Sequence, residues 1–325
     1  MKKHLIISKS HLRSDKSILV IVAELYYKDG LNQKEIAVRL GLSRATIISY
    51  LKQCRDEGIV DIQIKGSNYP VSNLSQSIRK KYNLVDVYVS QSELNGVDLN
   101  SYSGVTRSAA IALNELIRDG DSIGVAWGRT VQSVAQEMPT NVNRIANLSV
   151  CQLVGSMSSK EFVTSESSTI RISERLNAKC YTLHAPAILS SKNLADAIKR
   201  EDVVKEQLLR LTRLDKIIFS VGDVGTDTVV VTTGIANKKE LLEFKARQAR
   251  AVLCGHFIDK DGQHLSGDYS ARIIGISPQE IKLVPVRMCV ASGLDKKNAI
   301  LAALKGGFVS HLVIDHTLAE DLITH

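Results

Sequence analysis

The chain has 325 residues, is 44% hydrophobic and 23% charged, and carries a formal net charge of +8. That length suits two domains, and that apolar fraction supports full cores. Residues 1–9 hold only Leu5-Ile6-Ile7 as an apolar run and nowhere do about eighteen apolar residues follow one another, so no signal peptide or membrane span is expected and a cytoplasmic protein without a membrane partner is.

Five widely spaced cysteines, an odd number with no Cys-x-x-Cys pair, read as reduced core residues. The eight histidines show no metal-site spacing, so neither a metal nor a cofactor is expected.

In chain order, residues 14–28 read as a supporting helix with Asp15 near its start and Ile18, Val22 and Leu25 inward. Asn32 is a good N-cap and Glu35, three residues on, completes a capping box. Residues 33–40 then form a helix with Ile36, Ala37 and Leu40 on one face, and Gly41 ends it in the left-handed conformation. Ser43 caps a second helix through about residue 57, with Ile47, Leu51 and Cys54 inward and Arg44, Ala45, Ile48, Ser49 and Lys52 outward. Gly58 stops it, and 59–64 alternates enough for a wing strand.

This is a winged helix-turn-helix, an arrangement that lays a helix in the DNA major groove. Arg44, in the first turn, is placed to bridge two acceptors of guanine, while Gln33 and Lys52 are placed to touch phosphates. Any amphipathic helix pair can imitate the pattern. Charge argues for DNA: residues 1–66 carry twelve Lys and Arg against seven Asp and Glu, so +5 of the +8 lies in the first fifth of the chain.

The expected layout is therefore a DNA-binding domain over 1–65, a Ser/Asn/Gly/Pro-rich linker over 66–75 and a larger domain over 76–325. Ser72 or Asn73 caps a helix through Tyr82. Strands are then expected at 85–89, 121–127, 148–154, 180–183, 216–221, 252–254, 281–290 and 312–314. Helices are expected at 100–118, 130–137, 164–176, 193–213, 238–247 and 296–304. Continuous apolar strands between helices mean an α/β fold, a Rossmann-like parallel sheet covered on both faces.

Ligands of such sheets bind outside the carboxyl ends of the strands. Gly128-Arg129-Thr130 offers backbone N–H groups, a hydroxyl and a guanidinium at a helix start, which suits a phosphate. Gly155-Ser156 and Gly222-Asp223-Val224-Gly225 follow two further strands, and Lys296 opens a helix after 286–291. Of the loop aspartates 223, 227, 259, 261 and 268, a turn role is expected for all but Asp259, with Asp223 open to either role. Leu301, Leu304, Phe308 and Leu312 suit either core or subunit contact.

Ordered blocks along nearly the whole chain carry a resemblance. They are Tyr26-Tyr27, Gln33-x-Glu35-Ile36-Ala37-x-x-Leu40-Gly41-x-Ser43-Arg44, Gly58-Ile59-Val60-x-Ile62, Gly124-x-x-Trp127-Gly128-Arg129-Thr130, Gln152-Leu153-x-Gly155, Phe257-Ile258-Asp259-x-x-Gly262 and Gly293-x-x-Lys296-x-x-Ala299-Ile300-x-x-Ala303-Leu304. The chain resembles the SorC family of bacterial transcription regulators, grouped with DeoR-like sugar regulators. That resemblance implies an effector domain similar in fold to sugar-phosphate isomerases and deaminases, a phosphorylated sugar as effector and a homo-oligomer, dimer or tetramer. It makes Gly128, Arg129 and Thr130 the phosphate cradle, gives the sugar hydroxyls to Asp259, and lets Gly155 and Lys296 complete the pocket. It also places Gln33, Arg44 and Thr46 at DNA-contacting positions, to which the outer-face reading adds Ser43, Ser49 and Lys52. Where the family pattern continues Ser-Arg, this chain has Ile48-Ser49. Ile48 is open to two roles, a thymine methyl contact or packing against the preceding helix.

The expected function is a DNA-binding regulator of a carbohydrate-use operon, binding double-stranded operator DNA with an affinity set by a sugar phosphate. The competing reading is a sugar-phosphate isomerase or deaminase with a DNA-binding head. The aspartates and His184 or His256 supply no convincing acid–base pair for it.

Overall fold

A computed structural model describes residues 15–56, 59–60, 73–90, 93–94, 97–98, 101–140, 145–157, 164–225 and 229–324. The chain divides into two compact units, 1–68 and 69–325. The expected linker, 66–75, falls largely on residues outside the described set, as does most of the wing, 59–64.

In the first unit α1 (Asp15–Ala23) continues into a π-helical turn (Glu24–Lys28), followed by α2 (Gln33–Leu40) and α3 (Arg44–Asp56). The Asn32 side chain accepts from the Lys34 and Glu35 N–H groups, and the Glu35 carboxylate accepts from the Asn32 N–H at 2.8 Å. Gly41, at φ 67°, ends α2 in the left-handed conformation. These local devices fix two short helices that are marginal alone, and packing does the rest. Val22, Leu25, Ile36, Ile47 and Leu51 form one buried cluster, and Leu19, Ala23 and Cys54 a second. The Cys54 thiol donates to the Leu19 carbonyl and Arg55 donates to the Tyr27 hydroxyl at 3.0 Å, so α3 is tied to α1 and to the π-turn.

The second unit is built on a seven-stranded sheet whose paired strands are all parallel: β1 (Asp86–Ser90), β4 (Ser122–Val125), β5 (Ser149–Gln152), β6 (Lys179–Tyr181), β7 (Lys216–Phe219), β10 (Val286–Ala291) and β11 (His311–Asp315). Their order is β1-β11-β10-β7-β4-β5-β6. Two antiparallel pairs stand outside it, β2 (Glu93–Leu94) with β3 (Val97–Asp98), and β8 (Ala249–Leu253) with β9 (His256–Asp259). The helices are α4 (Asn73–Tyr82), α5 (Ser101–Leu116), α6 (Arg129–Glu137), α7 (Ser165–Leu176), α8 (Lys192–Ile198), α9 (Asp202–Leu211), α10 (Val229–Thr232), α11 (Lys238–Ala246), α12 (Asp268–Ala271), α13 (Pro278–Leu283), α14 (Lys297–Lys305) and α15 (His316–Thr324).

Burial follows the parallel-sheet rule: Lys216 to Phe219 and all of His311 to Asp315 are buried on both faces. One large apolar cluster joins Phe219, Cys289 and Leu312 to Phe257 and Leu304, and a second joins Val125, Val150, Ile218 and Val290 to α5, α6 and α7. Leu304, Phe308 and Leu312 lie in the first and Leu301 packs on it, so this set belongs to the core of the unit.

The expected strand over 281–290 requires correction. Residues up to Leu283 belong to α13, because Ser277 and Glu280 make a reciprocal capping box and Pro278 occupies the first turn; the strand starts at Val286. The β8–β9 hairpin extends past the expected 252–254, and α15 follows β11 directly.

Candidate functional site

From the edge strand β1 the chain crosses to β4 and moves outward to β5 and β6, then returns to β7 on the other side of β4 and proceeds through β10 to β11. The direction reverses between β4 and β7. The crevice at the carboxyl ends of those two strands is therefore the topological switch point, where open α/β sheets bind ligands.

What leaves the strands there is polar. After β4, Gly128 takes φ 117° and stands as N-cap of α6 without a side-chain cap, which leaves the first-turn N–H groups of a nine-residue helix facing outward. A side chain at that φ is strained, so the position needs glycine. Arg129 is exposed and Thr130 half-buried, and neither side chain has a partner among the described residues. Trp127 packs on the core just before them.

After β7 comes Asp223, and after β10 the turn carrying Lys296. Lys296 Nζ lies 2.7 Å from Asp295 and 3.9 Å from Asp223. The turn is anchored by Asp315, whose carboxylate accepts from the Gly293 N–H at 2.7 Å and from the Leu318 N–H at 2.9 Å. Beside it opens a cleft of about 580 Å³ lined by Asp223 to Gly225, Lys245, Arg250, Asp295 and Asn298. Lys245, Arg250 and Asn298 belong to this edge, and sequence reading had not singled them out.

Two other expected residues have different places. Gly155 follows β5, but its N–H donates to the Ile274 carbonyl, and a Cβ there would stand 2.4 Å from the Ala185 oxygen. Its role is close backbone packing. Gln152, of the same motif, likewise ties strands together: its amide donates to the Val154 carbonyl and accepts from the Leu183 N–H.

Asp259 lies elsewhere in the unit. Its Oδ1 accepts from the Asp261 and Gln263 N–H groups at 2.9 and 2.8 Å, and the same turn brings Gly262 against the backbone of Gly306 at the end of α14. Lys296 is at the beginning of α14, whose nine residues span about 13 Å. Asp259 therefore shapes a turn at the far end of that helix. His256, weighed as an acid–base group, is sealed at 5% exposure with Nε2 on the Ile276 carbonyl, and burial followed by the neighbouring His264 holds its pKa down at about 3.

In the head, Ser43 Oγ accepts from the Thr46 N–H at 3.0 Å and lies 2.8 Å from the Thr46 hydroxyl, so Ser43 caps α3 with Thr46 in its first turn. Arg44, Ser49, Lys52 and Ile48, at 47% exposure, form the outer face, and Ile48 is not packed away. Arg44 Nε donates to Gln33 Oε1 at 3.3 Å. This contact across the turn leaves both terminal nitrogens of the guanidinium pointing onward as a fork.

A helix-turn-helix head on an α/β unit with cations at its switch point defines a transcription regulator with a small-molecule-binding domain. Residues 14–61 match the winged helix-turn-helix DNA-binding family and residues 69–324 match the sugar-binding domain family. The chain is 33% identical over 303 residues to the transcriptional regulator YjhU of Escherichia coli (strain K12), covering 92% of each. It is 27% identical to the deoxyribonucleoside regulator of Bacillus subtilis (strain 168), across 96% of this chain and 98% of that one. The crystal structure of the full-length sorbitol operon regulator SorC from Klebsiella pneumoniae superposes with a TM-score of 0.78 at 25% identity, covering 95% of this chain and 99% of that one. The chain belongs to the SorC family of transcriptional regulators. Among the described residues, no helix is long and apolar enough to cross a membrane.

Proposed function

We propose that this protein is a cytoplasmic, homo-oligomeric regulator of a carbohydrate-use operon whose operator affinity is set by a phosphorylated sugar, and that it acts without catalysing a reaction. The observation that carries the reading is the polar set that leaves neighbouring strands at the switch point, the uncapped start of α6 with Arg129 and Thr130 after β4 and the Asp223–Lys296 pair after β7 and β10, together with the cleft lined by Asp223, Asp295, Lys245 and Arg250. A phosphate finds there N–H groups, a hydroxyl and cations, and a sugar body finds Asp223, Asp295 and Asn298 as hydroxyl partners. Operator DNA is met by Arg44 and Ser49 on the outer face of α3, by Lys52 and Gln33 at phosphates, and by the cap residue Ser43 and Thr46 at the helix start. Effector and DNA influence one another only if the effector binds two arrangements of the oligomer with different affinity.

The test is a thermal-shift comparison of paired sugars and sugar phosphates. A ligand at a hundred times its dissociation constant stabilises by about 2.7 kcal/mol. One phosphorylated sugar should stabilise where its parent does not, and Thr130→Ala or Lys296→Ala should abolish that shift while leaving DNA binding intact. No response to any phosphate, or an unchanged response in both variants, refutes the site.

A further inference from the structure

A second cleft, of about 350 Å³, lies on the sheet away from the switch point. Its floor is formed by Ser122 of β4, Ser149 and Cys151 of β5 and Tyr181 of β6. The register makes this one face: Ser122 is opposite Ser149, Cys151 is opposite Tyr181, and Ser149 and Cys151 are two apart on the same strand. Its wall is Glu206, Leu209, Arg210 and Arg213, from α9 and the turn after it.

A parallel sheet under a helix is ordinarily lined by aliphatic side chains. Here the floor presents two hydroxyls, a thiol and a phenol. The Arg210 guanidinium is stacked 4.1 Å over the Tyr181 ring and held by Glu206 at 2.5 Å, which fixes its fork with little rotamer freedom left to lose. Arg213, one turn on, has no side-chain partner among the described residues, and neither has the Ser149 hydroxyl. Among the described residues, Ser122 Oγ meets only the Cys151 thiol, at 3.7 Å. The nearby Asp215 carboxylate is engaged by the Ser122 N–H at 2.8 Å and Glu206 is paired with Arg210, which leaves Arg213 as the groove's cation with no side-chain partner among the described residues.

The geometry points to a second ligand site in this groove, one for a small molecule bearing an oxyanion, a carboxylate or a phosphate, clamped by Arg210 and Arg213 with the Ser122 and Ser149 hydroxyls beneath it. Ser122 and Ser149 are the first residues of their strands, so the groove opens toward the amino edge, about one strand length or 13 Å from the Gly128 turn. Its volume lies in the range of about 300–1,000 Å³ usual for small-molecule pockets. The protein therefore has room for a metabolic input separate from the sugar site.

Isothermal titration of the full-length chain at fixed ionic strength tests this, with orthophosphate in one arm and malonate in the other. Lys296→Ala, which disarms the switch-point site, should retain one saturable anion-binding event, and the arm in which it appears names the oxyanion class. Arg210→Gln/Arg213→Gln in the Lys296→Ala background should weaken that event at least tenfold. Because Arg210 also packs on Tyr181, Arg213→Gln alone, at an exposed position, is the second variant and should weaken it at least threefold with an unchanged melting temperature. Absence of saturable binding of either anion to Lys296→Ala, or binding that both arginine variants leave unaltered, overturns the proposal.

Discussion

Replacing Arg44 by Lys isolates what the guanidinium contributes beyond its charge. Arg44 Nε is engaged by Gln33 Oε1 at 3.3 Å, and on the proposed reading the two terminal nitrogens grip the O6 and N7 acceptors of one guanine. A lysine keeps the positive charge but is a point donor without a fork. A bidentate base contact contributes about 1–3 kcal/mol of discrimination, so Arg44→Lys should weaken binding to the cognate operator about 5- to 150-fold. Binding to unrelated DNA of the same length should be unchanged, since it follows from phosphate neutralisation, and the slope of log affinity against log salt should stay the same. Fluorescence anisotropy with labelled operator and scrambled duplex, at matched salt over a fourfold salt range, measures all three quantities. Equal loss on both duplexes, or no loss on either, would mean that Arg44 makes no bidentate base contact.

Three stability predictions follow from local geometry. Gly155→Ala puts a methyl 2.4 Å from the Ala185 oxygen and 2.7 Å from Pro186, backbone that cannot rotate aside, so it should lower unfolding free energy by about 1–3 kcal/mol in urea titration. Lys216 and Asp121 form an ion pair at 2.6 Å with side chains 8% and 11% exposed. Lys216→Met leaves a buried carboxylate without its cation and should destabilise by about 3–5 kcal/mol, and adding Asp121→Asn should recover part of that in thermal unfolding. His256 has a folded pKa near 3 against an ordinary 6.5, so it binds its proton only in the unfolded chain between those values. Its contribution is complete above pH 6.5 and is lost as the pH falls toward 3, by up to about 1.4 kcal/mol per unit. Urea titrations of His256→Gln between pH 6.5 and 4.5 should show a shallower decline than the parent, and parallel curves would contradict the burial argument.

Legibility in the sequence followed the range of the interactions. The head could be read because its determinants, Asn32 with Glu35, Gly41, and Ser43 with Thr46, act within four residues of one another. The alternation of strands and helices could be read for the same reason, and Ser277-Pro278-x-Glu280 carried a legible helix start that the apolar run after it obscured. Strand order could not, because nothing local in β4 says that β7 will return beside it. That explains the fate of the aspartates. Asp223 follows a strand and Asp259 ends one, each beside a Gly-containing turn, and only the fold puts the first beside Lys296 and the second at the opposite end of α14. Lys245 and Arg250 were illegible because the β8–β9 hairpin, α12, α13 and β10 separate them in sequence from Lys296, and only the fold brings them to the cleft that Asp295 and Asn298 line.

The charges at the switch point bear on which anions such a site accepts. Lys296 stands between Asp295 and Asp223, so without a ligand its charge is already balanced. A bare anion entering there meets two carboxylates as well as one ammonium, and an exposed pair of this kind contributes at most about 1 kcal/mol. Lys245 and Arg250 on the cleft wall and the first turn of α6 after β4 supply the remaining positive potential, spread along the edge and not at one point. On the proposed reading, a ligand that places phosphate at the helix start and hydroxyls at Asp223 and Asp295 satisfies both sets at once. Inorganic phosphate or an unphosphorylated sugar satisfies only one, and leaves either the carboxylates or the helix donors to water. Selectivity for a sugar phosphate over its two halves thus arises from the alternation of acids and bases along the crevice, and not from the count of cations.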